Sequence, residues 1–194
     1  RCPYCMPAEK YSESYEFLPK RKILSYEEIA RLASIFVRLG VSKIRLTGGE
    51  PLLREDLHVL VSLLVQIKGV DDLALTTNGY LLESRAQGLI DAGLKRVTIS
   101  LDSLDEEVFA RMNGRGFGPQ KILDAIRRTD EVGFRSTKIN AVIQKGVNDH
   151  TLVDMARYFK DTGHIVRFIE YMDVGNRNGW RMDDVVRATE IHRR

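Results

Sequence analysis

Apolar residues recur along this chain with two different periods, and the two take turns. Ile29, Leu32, Ala33 and Phe36 fall on one face of a helix. Ser25 and Glu28 ahead of them have the spacing of a capping box, and Gly40 supplies the left-handed stop. A β-rich run follows at once, and the order repeats. Helical patterns end near Gly40, Gly69, Gly93, Gly133 and Gly163, and strands are predicted after them at 42–47, 72–77, 95–101, 137–143 and 165–171. Strands alternating with helices predict βα units around a parallel sheet.

Within the strands the alternation has a polar side. Lys43, Arg45 and Thr47 oppose Ile44 and Leu46; Arg96, Thr98, Ser100 and Asp102 oppose Val97, Ile99 and Leu101; Lys138 and Asn140 oppose Ile139, Ala141 and Ile143. Thr76 and Asn78 lie opposite Leu75 and Thr77, while the fifth strand alternates less cleanly, with Arg167 beside Ile169 and Glu170 beside Met172. A strand covered on both faces of an open sheet reads as a nearly continuous apolar run. One polar face per strand therefore predicts an α/β fold of a particular kind: an incomplete (βα) barrel, parallel strands with helices outside, and a polar ligand on the inner face.

The strand ends carry groups that hydrogen-bond: Thr-Gly-Gly-Glu at 47–50, Thr-Thr-Asn-Gly at 76–79, Ser-Leu-Asp-Ser at 100–103 and Glu-Tyr-Met at 170–172. In βα barrels the working residues cluster at such ends. Gly48 and Gly49 allow close approach of a ligand to the backbone, and Glu50 offers an acceptor beside them. Lys43, Arg45, Lys138 and Arg167 are expected to point inward. Unpaired buried charge is costly, so they imply either a bound anion or internal partners such as Asp102 and Glu170.

Composition narrows the function further. Thirty Lys and Arg against 27 Asp and Glu leave a net charge of +3, without the concentrated basic stripe of a nucleic-acid binder. No apolar run reaches membrane-span length and no signal peptide opens the chain, so a soluble, intracellular and cytoplasmic protein is expected. The length of 194 residues suits one domain or most of one. The two cysteines, Cys2 and Cys5, share one C-x-x-C, which excludes a disulfide framework and leaves metal or dithiol redox chemistry. His58, His150, His164 and His192 are too scattered to complete a zinc site. Trp180 and the turn from Asn176 to Gly179 read as surface, and the Lys20–Lys22 charge run as a solvated loop.

Cys2-Pro-Tyr-Cys5-Met-Pro, with RLTGGEPLLR at 45–54, TTNG at 76–79, SLDSL at 100–104, KINAVIQKGVND at 138–149 and RFIEYM at 167–172, resembles the radical S-adenosylmethionine (SAM) enzymes. Within them it is similar to the GTP 3′,8-cyclases of molybdenum cofactor biosynthesis. The superfamily signature is C-x-x-x-C-x-x-C, so the first cysteine is expected four residues before Cys2. The resemblance implies a 4Fe-4S cluster with Cys2 and Cys5 among its ligands, and SAM bound at the open iron. An electron through that cluster would cleave SAM to a 5′-deoxyadenosyl radical, which takes the ribose 3′ hydrogen of GTP. The carbon radical then attacks C8 to give 3′,8-cyclo-7,8-dihydro-GTP, a lyase reaction needing no strong acid or base from the protein in that step.

Carried over by motif, Tyr4, Gly49, Ser100 and Met172 are expected SAM contacts, with Glu50 in the neighbouring turn. Arg45, Thr76 and Lys138 are expected GTP contacts, and Lys43 and Arg167 triphosphate partners. The resemblance also implies a flavodoxin or ferredoxin as electron donor, cyclic pyranopterin monophosphate synthase downstream, and a homodimer. The family's second 4Fe-4S cluster sits on three C-terminal cysteines that this chain lacks, as it lacks the N-terminal segment. Residues 1–194 are therefore expected to be a radical SAM barrel core cut at both ends, without turnover of its own. Two alternatives stand beside this: a radical SAM enzyme with another substrate, and a non-catalytic nucleotide-binding βα domain.

Overall fold

A computed structural model describes residues 2–6, 14–134, 137–174 and 179–194. Five strands form one parallel sheet in chain order: β1 (Lys43–Leu46), β2 (Asp72–Thr77), β3 (Arg96–Ser100), β4 (Lys138–Ile143) and β5 (Ile165–Glu170). Among the described residues β1 and β5 do not pair with each other, so the sheet is open, the incomplete βα barrel that the alternation predicts. The helices are α1 (Tyr26–Arg38), α2 (Leu57–Val65), α3 (Leu82–Asp91), α4 (Glu106–Asn113), α5 (Gln120–Glu131), α6 (Leu152–Phe159) and α7 (Ala188–Arg193). None of them is long and apolar enough to cross a membrane.

The chain divides into two compact units. One comprises Phe17–Ile99 and Asp124–Thr137, and the other Arg1–Glu16, Ser100–Leu123 and Lys138–Arg194. In the first, α1 opens on the reciprocal capping box: the Glu28 N–H donates to Ser25 Oγ at 3.2 Å and the Ser25 N–H to the Glu28 carboxylate at 2.7 Å. The helical stripe is real but only partly covered, since Ala33 is buried while Leu32 and Phe36 are exposed. α1 packs on α2. The core of this unit is built by Leu60, Val61 and Leu64 of α2, Leu82, Ala86 and Leu89 of α3, and Leu73, Leu75, Val97 and Ile99 of the strands.

Registers show which side chains share a face. Arg45 pairs with Ala74, and Ala74 and Thr76 pair with Arg96 and Thr98, so Lys43, Arg45, Asp72, Thr76, Arg96 and Thr98 stand on the same side. In β2 and β3 that side is closed as well as polar: Ala74 and Thr98 are buried like their apolar neighbours. Small side chains in central strands are covered by what flanks them, which period alone does not reveal.

In the second unit, Lys138 pairs with Ile165 and Asn140 with Arg167, which puts Lys138, Asn140 and Arg167 on one face. Ile139, Ala141 and Ile143 fill the other and are buried with Leu152, Met155 and Phe159 of α6. α4 was not anticipated. It occupies the long interval between Gly93 and Gly133, capped by Asp105, whose carboxylate accepts the Val108 N–H at 2.8 Å. Lys20–Lys22 forms a short 3-10 turn rather than an irregular loop.

Candidate functional site

The cysteine motif folds as a tight turn. The N–H groups of Cys5 and Met6 both donate to the Cys2 carbonyl, at 2.9 and 2.8 Å, so the two thiols hang from a single turn. Cys2 is half-buried and Cys5 exposed. Burial pushes the Cys2 thiol up, reinforced by the negative charge of Asp102. The Tyr4 phenol, between the two cysteines in sequence, donates to Asp102 Oδ2 at 2.9 Å. It is raised well above its ordinary value by burial and by the same carboxylate. Asp102 itself is buried, and its carboxyl is raised from 3.8 to about 6 by desolvation, which the Val142 N–H and Tyr4 hydroxyl only partly offset.

Of the two alternatives left open by the sequence, a bound anion or internal partners for the inward cations, Asp102 does not supply the second among the described residues. Its Oδ1 accepts the Val142 N–H at 2.9 Å. Glu170, the other suggested partner, accepts the Ala188 N–H and caps α7 instead. In both cases a backbone N–H is the nearer donor, since these carboxylates sit where strands end and the chain turns. On the polar faces, Arg96 forms an ion pair with Asp72 on the neighbouring strand.

In the other unit, β1 ends in a turn held by Glu50. Its carboxylate accepts from the Leu52 N–H at 3.0 Å, Thr77 Oγ at 2.7 Å and the Asn78 N–H at 2.7 Å. Glu50 therefore caps the 3-10 turn Pro51–Leu53 and ties the end of β1 to the end of β2. Three acceptor positions on its two oxygens are thus engaged by the fold. Gly48 has φ of 152°, which favours glycine, and a Cβ built on Gly48 or Gly49 would meet nothing within 4 Å. The backbone here is open to approach. Arg45 Nη1 donates to Thr76 Oγ at 2.9 Å, so two residues predicted to share a substrate are in direct contact.

The remaining predicted residues take up the following places. Lys43 is exposed at the start of β1, and Lys138 half-buried at the start of β4. Ser100 is half-buried at the end of β3; Arg167 is exposed in β5; Met172 lies exposed just beyond it. The Trp180 indole N–H donates to the Tyr171 carbonyl at 3.0 Å. The turn residues Asn176 to Asn178 lie outside the described residues. His58, His150 and His192 are exposed and His164 half-buried, as expected of scattered histidines.

Two residues were missed from the sequence. Asn140 Oδ1 is buried without a hydrogen-bond partner on the face shared with Lys138 and Arg167. An orphaned acceptor of this kind calls for a donor that the protein does not itself supply. Asn148 is fully buried. Its Nδ2 donates to the carbonyls of Asp102 and Val142 at 2.7 and 2.8 Å, and its Oδ1 accepts the Gln144 N–H at 2.9 Å. An asparagine in the middle of a polar-faced strand was the available signal for the first; an asparagine in a Gly-Val-Asn-Asp turn reads as ordinary loop chemistry.

The chain matches the radical SAM superfamily over residues 1–159. It belongs to that superfamily. Among curated relatives, this radical SAM chain is 53% identical over 191 residues to a GTP 3′,8-cyclase of Acidothermus cellulolyticus, covering 98% of this chain and 53% of that protein. It is 50% identical to a GTP 3′,8-cyclase of Staphylococcus carnosus, covering 98% of this chain and 56% of that one. The chain thus spans about half the length of the curated relatives it matches. The solved structure of HydG, an FeFe-hydrogenase maturase, superposes with a TM-score of 0.70 at 14% identity, over 98% of this chain and 44% of that one. Methylornithine synthase superposes with a TM-score of 0.69 at 18% identity, over 95% and 54%. At those identities the likeness concerns the fold.

The donor chemistry fits what the radical SAM family requires of this segment. Two thiols on one turn suit two irons of a cluster, and the open backbone at Gly48 and Gly49 suits a small cofactor. Among the described residues no group of three or more Cys, His, Asp and Glu could hold a metal.

Proposed function

We propose that this chain is the cluster- and SAM-binding part of a GTP 3′,8-cyclase acting in molybdenum cofactor biosynthesis. What carries the reading is the joint presence of the C-P-Y-C turn and of cations on polar strand faces, Lys43 and Arg45 in one unit and Lys138 and Arg167 in the other. The relatives, about half of whose length this chain covers, suggest the substrate. Cys2 and Cys5 hold the cluster; Tyr4, Gly49, Ser100 and Met172 line the SAM site. The Tyr4 phenol is engaged with Asp102, so Tyr4 meets SAM through its ring or backbone. When bound, the cluster and SAM supply an electron and a carbon-centred radical.

The chain's own residues bind and orient. Arg45, locked against Thr76, presents a fixed guanidinium to phosphate or ribose oxygens, which suits bidentate recognition. Lys43, Lys138 and Arg167 balance the triphosphate charge, and the orphaned Asn140 Oδ1 accepts from a donor on the substrate. The protein acts in the cytoplasm with a flavodoxin or ferredoxin as reductant. It passes its product to cyclic pyranopterin monophosphate synthase, and it works as a homodimer.

The test uses the full-length protein, reconstituted anaerobically with iron and sulfide and given reductant, SAM and GTP. Mass spectrometry follows 5′-deoxyadenosine and 3′,8-cyclo-7,8-dihydro-GTP, with Arg45→Ala and Lys138→Ala as controls. Both products, with the nucleotide lost in the variants, support the reading. Deoxyadenosine without nucleotide conversion would overturn the substrate, and neither product despite an intact cluster would favour a binding domain.

A further inference from the structure

The cysteine turn is closed by its own backbone, the N–H groups of Cys5 and Met6 both donating to the Cys2 carbonyl at 2.9 and 2.8 Å. Those bonds give the turn its shape but not its place. A side chain within the turn reaches out of it: the Tyr4 hydroxyl donates to Asp102 Oδ2 at 2.9 Å, across 98 positions of sequence. A carboxylate acceptor makes this a strong bond for a phenol.

The Asp102 end of that bond is held where the ends of β3 and β4 meet. Its Oδ1 accepts the Val142 N–H at 2.9 Å, and its carbonyl accepts from Asn148 Nδ2 at 2.7 Å. One residue earlier, the Leu101 N–H donates to the Asn140 carbonyl at 2.9 Å. Asn148 is fixed in turn, donating to the Val142 carbonyl at 2.8 Å and accepting the Gln144 N–H at 2.9 Å. Ser103 Oγ donates to Thr151 Oγ1 at 3.0 Å, and Thr151 Oγ1 to the Asn148 carbonyl at 2.9 Å. Asp102, Ser103 and Asn148 are buried. Swinging the carboxylate away from the phenol would break into a buried network.

We propose that Asp102 is a positioning residue for the cysteine turn, holding it against the joined ends of β3 and β4 before any cluster arrives. This rests on the reading that Cys2 and Cys5 ligate the cluster. Thiols already in place lose less conformational freedom when a cluster binds, so the cluster is taken up more readily and held longer. The same anchor relates the cluster to its cofactor. Under the function proposed above Ser100 contacts SAM, and it closes β3 two residues before Asp102, at most about 7 Å away along the chain.

The experiment is hydrogen exchange in the cluster-free full-length protein, resolved to single amides. It compares wild type, Tyr4→Phe, Asp102→Ala, Asp102→Asn and the double variant of Tyr4→Phe with Asp102→Ala. Tyr4→Phe removes one oxygen and leaves the strand ends intact. It is expected to cost the Cys5 and Met6 amides about tenfold or more in protection, as a lost bond to a carboxylate implies, while the Val142 and Gln144 amides keep theirs. Asp102→Ala should release Cys5 and Met6 to a similar degree, and the double variant should add less than about threefold to either single one. Asp102→Asn, whose oxygen can keep the Val142 N–H while its amide donates to the phenol oxygen, should stay within about threefold of wild type. After reconstitution a chelator should strip iron about tenfold faster from Tyr4→Phe and Asp102→Ala than from wild type.

Unprotected Cys5 and Met6 amides in the wild type would overturn the proposal, as would unchanged protection in Tyr4→Phe. So would a full further loss when Tyr4→Phe is added to Asp102→Ala, because the hydroxyl would then hold the turn through another partner. If Asp102→Ala fails to fold, Tyr4→Phe decides alone: unchanged protection with unchanged iron loss overturns the anchor, and loss of both supports it. A wild-type protein that takes up no iron would instead remove the parent reading, whatever the amides show.

Discussion

Replacing Glu50 with alanine tests whether the Thr-Gly-Gly-Glu turn is organised by the fold or only by a ligand. Three donors converge on that carboxylate, from Leu52, Thr77 and Asn78. The Thr77 hydroxyl is buried, 2% exposed, so losing its acceptor leaves a polar group without water. A bond of that kind to a charged group contributes roughly 1.5–3 kcal/mol. The N–H groups of Leu52 and Asn78 lie nearer solvent and can recruit water, contributing about 0.5–1 kcal/mol each. Glu50→Ala should therefore destabilise the protein by about 2.5–5 kcal/mol in urea unfolding, without ligand present. Hydrogen exchange supplies the local reading: the amides of Leu52 and Asn78 should lose protection by tenfold or more. Glu50→Gln, which keeps one acceptor and turns a donor on its neighbours, should fall between alanine and wild type. A loss below about 1 kcal/mol for Glu50→Ala, with protection unchanged, would refute the clasp and return Glu50 to the ligand.

Asp102 holds its proton up to about pH 6 in the folded chain and to about 3.8 when unfolded. The native state therefore binds more protons between those values, and stability falls as pH rises through that window. The loss is about 3 kcal/mol at roughly 1.4 kcal/mol per pH unit; thermal unfolding of cluster-free protein should show it, and Asp102→Asn should flatten it. Asn148→Ala orphans the buried Asp102 carbonyl and the part-buried Val142 carbonyl and Gln144 N–H, and should cost about 2–3 kcal/mol in urea unfolding; Asn148→Asp, which sets a carboxylate against those carbonyls, should cost more. The Arg96–Asp72 pair is 38% and 21% exposed, so Arg96→Met should change stability by less than about 1 kcal/mol.

Much of this was legible in the chain because period and punctuation agreed. The five strands were found within a residue or so at each end, since every one follows a glycine that ends a helix. The contact between Arg45 and Thr76 follows from alternation once the strands are adjacent and parallel. What stayed hidden was the choice of partner. Nothing in Ser-Leu-Asp-Ser shows that its carboxylate meets a tyrosine 98 positions earlier rather than an inward cation. Glu50 was legible as an acceptor, but sequence does not show that two strand ends close around it. Asn148 looked like turn chemistry, and its burial depends on the ends of β3 and β4 coming together. α1 had a legible stripe, but the stripe does not show how much of it the neighbouring elements cover.

Gly49 illustrates a different consequence. Its φ lies outside the left-handed region and the space around it is empty, so the folded backbone has no quarrel with a methyl group there. Substituting alanine for glycine at a compatible position stiffens the unfolded chain and stabilises by about 0.4–1 kcal/mol. Anyone selecting variants of this protein for heat resistance alone would thus be led to Gly49→Ala. Under the function proposed above, that added methyl would stand where SAM comes to rest against bare backbone. At this position, screening for robustness and screening for activity would pick opposite residues.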